Sequence, residues 1–251
     1  MKKVSALFLA FFTLFTFAQN PIHHFNFDAT LVNSSQTATF NGTFLFVKDR
    51  SGIDKKAIRL NNQSIAANIG NLPQTNESRT ISIWIKFNDI TNANYIWGYG
   101  AGASNQYCGL IHQETTTNES PLNIAAWGYT NDFVTILPLY KDVWYNYTYV
   151  YDGKSATIYR NGILIESFDA PSRNTLGSVF KIGNINSLVS INADIDELKI
   201  YNTALTNDEV INQYQRGALL VISEIKSNKS KGKKTHLARQ HVKVTKDIAL
   251  Y

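Results

Sequence analysis

The sequence predicts an all-β fold, a two-sheet antiparallel sandwich with one short helix toward its C-terminal end. Three observations carry this. Residues 22–201 are a succession of short β-rich segments set apart by Gly, Asn, Asp and Pro. Several of these segments alternate apolar and polar residues with the period of a half-buried strand. One convincing helix start follows them, at Thr206.

The chain opens with Met1-Lys2-Lys3 and the uncharged run Val4 to Ala18, a basic region followed by an apolar one with a small residue before Gln19. That order is a secretory signal, expected to occupy residues 1–18 with cleavage after Ala18. The run is shorter than the roughly 20 residues of a membrane-spanning helix, so no membrane span is expected. The remainder suits one sandwich domain, assigned to 19–217.

Arg79 to Phe87 is the clearest strand. Ile81, Ile83, Ile85 and Phe87 take one face, and Ser82, Trp84 and Lys86 alternate with them. Trp84 and Trp144 are both expected in the core. Trp144 to Tyr151 places Tyr145, Tyr147, Tyr149 and Tyr151 on one side and ends at Asp152-Gly153, a strong turn pair. Ser155 to Arg160, then Asn161-Gly162, then Ile163 to Phe168 reads as a hairpin with the favoured type I′ dipeptide. The last strand runs from Ala193 to Tyr201. Thr206-Asn-Asp-Glu209 is a capping box, Leu205 can staple onto Val210, and Gly217 supplies a stop. Beyond it, 218–251 is rich in Lys and reads as a basic, disordered tail.

Read in order, Phe25-Asn-Phe-Asp28, Lys56 to Leu60, Thr80 to Trp84, Trp144 to Gly153, Ile158 to Leu164, Phe180 to Gly183 and Ile195 to Tyr201 with Ala204-Leu205 closely resemble laminin-G-like domains of the concanavalin A-like lectin/glucanase group. The match covers about residues 22–215. It implies a jelly roll with a curved face and loop-bearing ends, and relatives that bind glycans, proteins or calcium. The leader and the Asn/Thr-rich style resemble exported proteins of the Bacteroidetes, which places the expected location outside the cell or on its surface.

Composition narrows the function. The formal net charge of +5 is carried by the ends, since eight Lys/Arg lie between 224 and 251 and two Lys in the leader. The body between is slightly acidic, which gives nucleic-acid binding no electrostatic support. Cys108 is the sole cysteine, so no intrachain disulfide can form. His112 could meet it, but nothing around either residue suggests a nucleophile. The pair His23-His24 offers only a weak zinc signal.

Glucanases of the resembled group use two acids on one strand. Here the nearest cluster is Asp194-Ile-Asp-Glu197, where Asp194 and Asp196 share a face and Glu197 is expected on the other. No catalytic residue is therefore assigned. The resemblance implies a structural Ca2+ held by Asp196, with Asp28 or the carbonyl of Gly42 contributing oxygens. For ligand binding, Tyr95, Trp97 and Tyr99 alternate within Asn94 to Gly100, and Trp127-Gly-Tyr129 repeats the Trp-Gly-Tyr unit. Such rings stack on the C–H faces of sugars, and they equally serve as core filler between two sheets. The resulting expectation is a non-catalytic, carbohydrate-binding or adhesive module whose partner is a glycan or a surface protein. A structural domain without a glycan site and a glucanase-like hydrolase are the competing readings.

Overall fold

The two segments with the cleanest alternation lie side by side and bury the same face. The computed structural model describes residues 19–128 and 131–230, the stretch 220–230 by its backbone alone. The expected leader and residues 231–251 of the tail lie outside the described residues.

In chain order the strands are β1 (His23–Phe25), β2 (Asn41–Gly42), β3 (Leu45–Val47), β4 (Ala57–Asn61), β5 (Ile65–Asn68) and β6 (Arg79–Phe87). Next come β7 (Asn94–Gly100), β8 (Tyr107–His112), β9 (Glu119–Ala125), β10 (Phe133–Pro138), β11 (Trp144–Tyr151) and β12 (Ser155–Arg160). The series closes with β13 (Ile163–Asp169), β14 (Val179–Ile182), β15 (Asn184–Ile185), β16 (Leu188–Val189), β17 (Asn192–Tyr201) and the helix α1 (Asn207–Ser230).

The first sheet has the order β13-β12-β11-β6-β17-β4-β3, with β1 also paired to β17. The second has the order β10-β9-β8-β7-β14-β5-β2. Neighbours in both are antiparallel, as hairpin and Greek-key connections require. Strands β15 and β16 form a small separate hairpin.

Between the sheets, Ile81, Ile83, Ile85 and Phe87 of β6 and Tyr145, Tyr147, Tyr149 and Tyr151 of β11 share one buried cluster with Trp97, Leu110, Leu122, Ile124 and Phe180. Trp97 stacks on Phe180 at 5.9 Å and meets Tyr149 at a steep angle at 5.7 Å. Each fully buried aliphatic or aromatic side chain contributes about 1.5–3 kcal/mol through removal from water. His112 joins this layer without charge, because burial pushes its pKa down to about 3. Ser120 Oγ donates to the Gln113 carbonyl at 2.7 Å, so it accepts from His112 Nδ1–H, leaving Nε2 to accept the Tyr147 hydroxyl at 2.7 Å.

The turn chemistry behaves as the residue types demand. Asn161 and Gly162 both have positive φ, 55° and 76°, as a type I′ turn needs. Asp152 Oδ1 accepts the backbone N–H groups of Lys154 and Ser155. At the helix start, Glu209 Oε2 accepts from the Thr206 backbone at 2.8 Å, while Thr206 Oγ1 accepts from the Glu209 backbone at 3.3 Å.

Three expectations are corrected. Gly217 does not end the helix, which continues to Ser230. Its role is close approach: a Cβ there would sit 3.3 Å from Trp84 Nε1. Trp84 is not between the sheets but on the outer face of β6, where Tyr214 stacks on it at 5.6 Å and the Arg50 guanidinium lies 4.1 Å from the ring centroid. Trp144, also on that outer side, is half-buried with Lys86 Nζ 5.5 Å from its ring.

Replacing Ile83 by Ala should lower unfolding free energy by about 2–5 kcal/mol, the range for truncating a fully buried aliphatic residue, measured by urea denaturation.

Candidate functional site

A β-bulge decides which aromatic rings reach solvent. In β7, strict alternation would put Tyr95, Trp97 and Tyr99 on one face. The register instead pairs Tyr95 with Ile111 and Trp97 with Leu110, so the bulge at Ile96 turns the strand over. Trp97 and Tyr99 face the core at 2% and 1% exposure, and their expected ligand-binding role is corrected. Tyr99 gives its hydroxyl to the Pro73 carbonyl at 2.8 Å and accepts from Arg79 at 2.7 Å.

Tyr95 stays outside, where it packs with Trp127 and Ile185 around Tyr107, Ile111 and Ala125. Of the expected rings, the structure thus brings together Tyr95 and Trp127, and Tyr129 lies outside the described residues. The residues the sequence reading missed are Tyr107, Asn123 and Asp132. Tyr107 pairs with Gly100, and across the same face Gly98 pairs with Gly109, which pairs with Ala125. The Tyr107 ring lies over both glycines: a Cβ at Gly98 would overlap its hydroxyl, and one at Gly109 would meet its ring at 2.6 Å. The alternation of Tyr107, Gly109 and Ile111 against Cys108, Leu110 and His112 was the available signal.

Trp127 meets Tyr107 edge-on, with ring centroids 5.8 Å apart. Its backbone is in the left-handed region at φ 70°, a conformation that costs a non-glycine residue about 1–3 kcal/mol and is held only where the surroundings over-determine it. Asp132 does the holding. Its Oδ1 accepts the backbone N–H groups of Ala126 at 2.7 Å and Trp127 at 3.0 Å, while Asn131 Nδ2 donates to the Trp127 carbonyl.

Beside these rings, Asn123 lies in the cross-strand row Val134, Asn123, Ile111, Tyr95. The Tyr107 hydroxyl, Asn123 Oδ1 and Asn184 Oδ1 are buried and find no hydrogen-bond partner among the described residues. The residues sharing this face on β7, β8 and β9 include no Asp or Glu in the rows from Tyr107 to Asn123.

The acids gather on the opposite sheet. Leu198 and Ile200 face the core, and a bulge between Asp196 and Lys199, with Glu197 at φ 53°, places Glu197 outside beside Asp194 and Asp196. Glu197 was expected on the other face, and the extra residue of the bulge is the reason it is not. Asp194 is bonded by Arg59 at 2.6 and 2.9 Å, Lys86 at 2.8 Å and Asn88 at 3.1 Å. Burial alone would raise its carboxyl, but these donors hold it below the usual range. Burial pushes Asp196 up to about 7, only partly offset by Arg50 Nε at 3.0 Å. Glu197, half-buried, is held at about 2 by His24 and Lys199, at 2.9 and 2.7 Å.

These residues do not fit the expected calcium shell. Asp196 pairs with Arg50, Asp28 pairs with Lys56 at 3.0 Å, and Gly42 belongs to the other sheet. Among the described residues no three His, Cys, Asp or Glu are grouped to hold a metal. His23 and His24 diverge as well: His23 bonds the Gly70 carbonyl and Asn33, His24 bonds Glu197. Cys108 is buried, with its thiol pKa raised by burial.

With fold and geometry in hand, the family follows. The model of the concanavalin A-like lectin/glucanase superfamily matches residues 60–211. This chain belongs to that superfamily. Among solved structures it is similar to domain 4 of AbnA, a GH43 extracellular arabinanase from Geobacillus stearothermophilus, solved in complex with arabinotriose. The identity is 23%, the TM-score 0.63, and the match covers 77% of this chain and 97% of that one. It is also similar to the binding domain of botulinum neurotoxin serotype D, with 18% identity and TM-score 0.60 over 79% of this chain and 51% of that one. The type G receptor binding domain gives 18% identity and TM-score 0.59, over 79% and 52%. The chain therefore spans about half of the neurotoxin binding domains, and at these identities the likeness is one of fold. No curated protein matches the sequence significantly. No helix among the described residues is long and apolar enough to cross a membrane.

The Asp196 carboxyl, with its pKa raised from 3.8 to about 7, binds a proton in the folded state over a range where the unfolded chain has lost it. Its contribution is therefore greatest at low pH and is lost as pH rises through 7. His112, with its pKa lowered by burial, acts in the opposite direction but is common to both proteins, so the check is a difference: the melting temperature of the native sequence relative to Asp196→Asn should fall from pH 5 to pH 7.

Proposed function

We propose that the protein is a non-catalytic carbohydrate-recognition module, secreted or held at the cell surface, and that it binds glycan on the outer face of the second sheet. The observation that carries this is the aromatic group of Tyr95, Tyr107 and Trp127 on that outer face, set among buried polar atoms that lack partners among the described residues. Rings of this kind offer a stacking surface, and unmatched polar atoms beside them supply direction. A loop that holds Trp127 in a strained backbone conformation fits a ring placed for contact.

Two further points support the reading. Asp194, Asp196 and Glu197 are each bonded to a basic side chain, and Asp196 is 2% exposed, so this strand does not present the two free carboxyls that glycoside hydrolysis uses. The similar arabinanase domain was solved with arabinotriose, and a comparable role here is part of the proposal.

Trp127→Ala and Tyr95→Ala should each abolish or weaken glycan-array binding by at least tenfold while far-ultraviolet circular dichroism stays native. Full binding by both variants would remove this face from the function, and release of reducing sugar from any polysaccharide would restore the hydrolase reading.

A further inference from the structure

The two sheets end in four strands, β13 and β3 in the first and β10 and β2 in the second. An edge strand presents a row of unpaired backbone N–H and C=O groups, and folded chains blunt such rows with charge, bulges or short length. Three of these edges are blunted. β2 has two residues and β3 has three. β13 carries Glu166 and Asp169 and a register break against Ile158 and Tyr159. β10, Phe133-Val-Thr-Ile-Leu-Pro138, keeps unbroken register with β9 along its 6 residues and has no charged side chain. We propose that this edge is the contact between two copies of the chain, which join their second sheets through an antiparallel β10–β10 pair about a twofold axis. The proposal is independent of the glycan-binding reading.

The ladder decides which backbone groups face outward. Gln113 donates its N–H to the Pro121 carbonyl, so Pro121, Asn123 and Ala125 of β9 turn to β8 and Ser120, Leu122 and Ile124 turn to β10. Leu139 donates to the Asn118 carbonyl, in phase with this. Phe133, Thr135 and Leu137 therefore bond to β9, and Val134, Ile136 and Pro138 turn their backbone groups to the side where no strand lies. Val134 and Ile136 each present an N–H and a C=O there. Pro138 presents a carbonyl alone and closes the row, as proline does on edges. The side chains of Val134 and Ile136 are 55% and 66% exposed.

A row of backbone groups calls for a strand, and β10 suits its own copy. When Val134 of each copy is bonded to Ile136 of the other, every one of these N–H and C=O groups is matched and Thr135 lies on the axis opposite itself. The cross-strand neighbours are then valine with isoleucine and threonine with threonine, pairs that favour a sheet. A twofold contact sets a patch against itself, so a strand without charge meets no like charge. The same operation on β13 would gather Glu166 and Asp169 with their own copies. Pairing through β10 carries the outer face of the second sheet across the axis, and the Tyr95 and Trp127 groups of both copies then stand on one continuous face.

The test is sedimentation velocity of the full chain from low to high micromolar concentration. A reversible dimer is expected, and Ile136→Lys should weaken it at least tenfold, while far-ultraviolet circular dichroism and melting temperature stay native because that side chain faces solvent. Ile163→Lys on β13 should leave it intact. Thr135→Cys places a thiol on the axis, where Cα atoms about 4.5 Å apart permit a disulfide. After mild oxidation it should run as a covalent dimer on a non-reducing gel, and Ser167→Cys on β13 should not; the native Cys108 is buried. Association that is unchanged in Ile136→Lys, or a cross-link from Ser167→Cys in place of Thr135→Cys, would overturn the proposal. A chain that stays monomeric at every concentration would also overturn it and leave this edge to a strand of another protein.

Discussion

The apolar layer shared by β6 and β11 with the inner face of the second sheet is the constraint on which the rest of the structure depends. With Cys108 free and buried, no covalent cross-link limits the unfolded chain, and stability rests on burial. Four consecutive inward positions on β6 and four on β11 are large and apolar or aromatic, and they interdigitate with Trp97, Leu110 and Phe180. Because side chains alternate strictly along a strand, committing these positions inward commits Ser82, Trp84, Lys86, Asn146 and Thr148 outward. The outer surface of the first sheet is thus mixed, with Val150, Tyr159 and Tyr201 packed under Leu205 and Val210 beside these polar positions. It is finished by α1 and by the ion pairs of β17.

The two outer faces have diverged in chemistry. On the first sheet, acids and bases neutralise one another: Asp194 with Arg59 and Lys86, Asp196 with Arg50, Glu197 with His24 and Lys199. Tyr214 and Arg50 cover Trp84 on top of this layer. On the second sheet the outer face is built from aromatic, small and amide side chains, with polar atoms left unmatched. On the first face Asp196 Oδ1 is also unmatched, but it lies amid ion pairs. The other keeps unsatisfied hydrogen-bonding capacity next to aromatic rings, which is the combination a binding surface needs.

What could be read directly from the residues was local. The strands around Ile81 to Phe87 and Tyr145 to Tyr151, the Asn161-Gly162 and Asp152-Gly153 turns and the Thr206 cap all appear where composition placed them, because each depends on neighbours within a few residues. The candidate site was half legible. Tyr95 and Trp127 were nominated from their residue type, while Tyr107, Asn123 and Asp132 became visible only when strands distant in sequence lay side by side.

Sequence alone determined the fold class and the inward face of the central strands, since strand periodicity and turn preference are short-range properties. Tertiary structure decided which aromatic rings are exposed, which face the acids share, and how far the helix runs. A single bulge at Ile96 separates Tyr95 from Trp97, another at Glu197 gathers three carboxylates on one side, and Gly217 lets the helix approach Trp84 and continue. A one-residue irregularity reverses every side chain beyond it, and its position is set by the register with a neighbouring strand, which no local pattern contains.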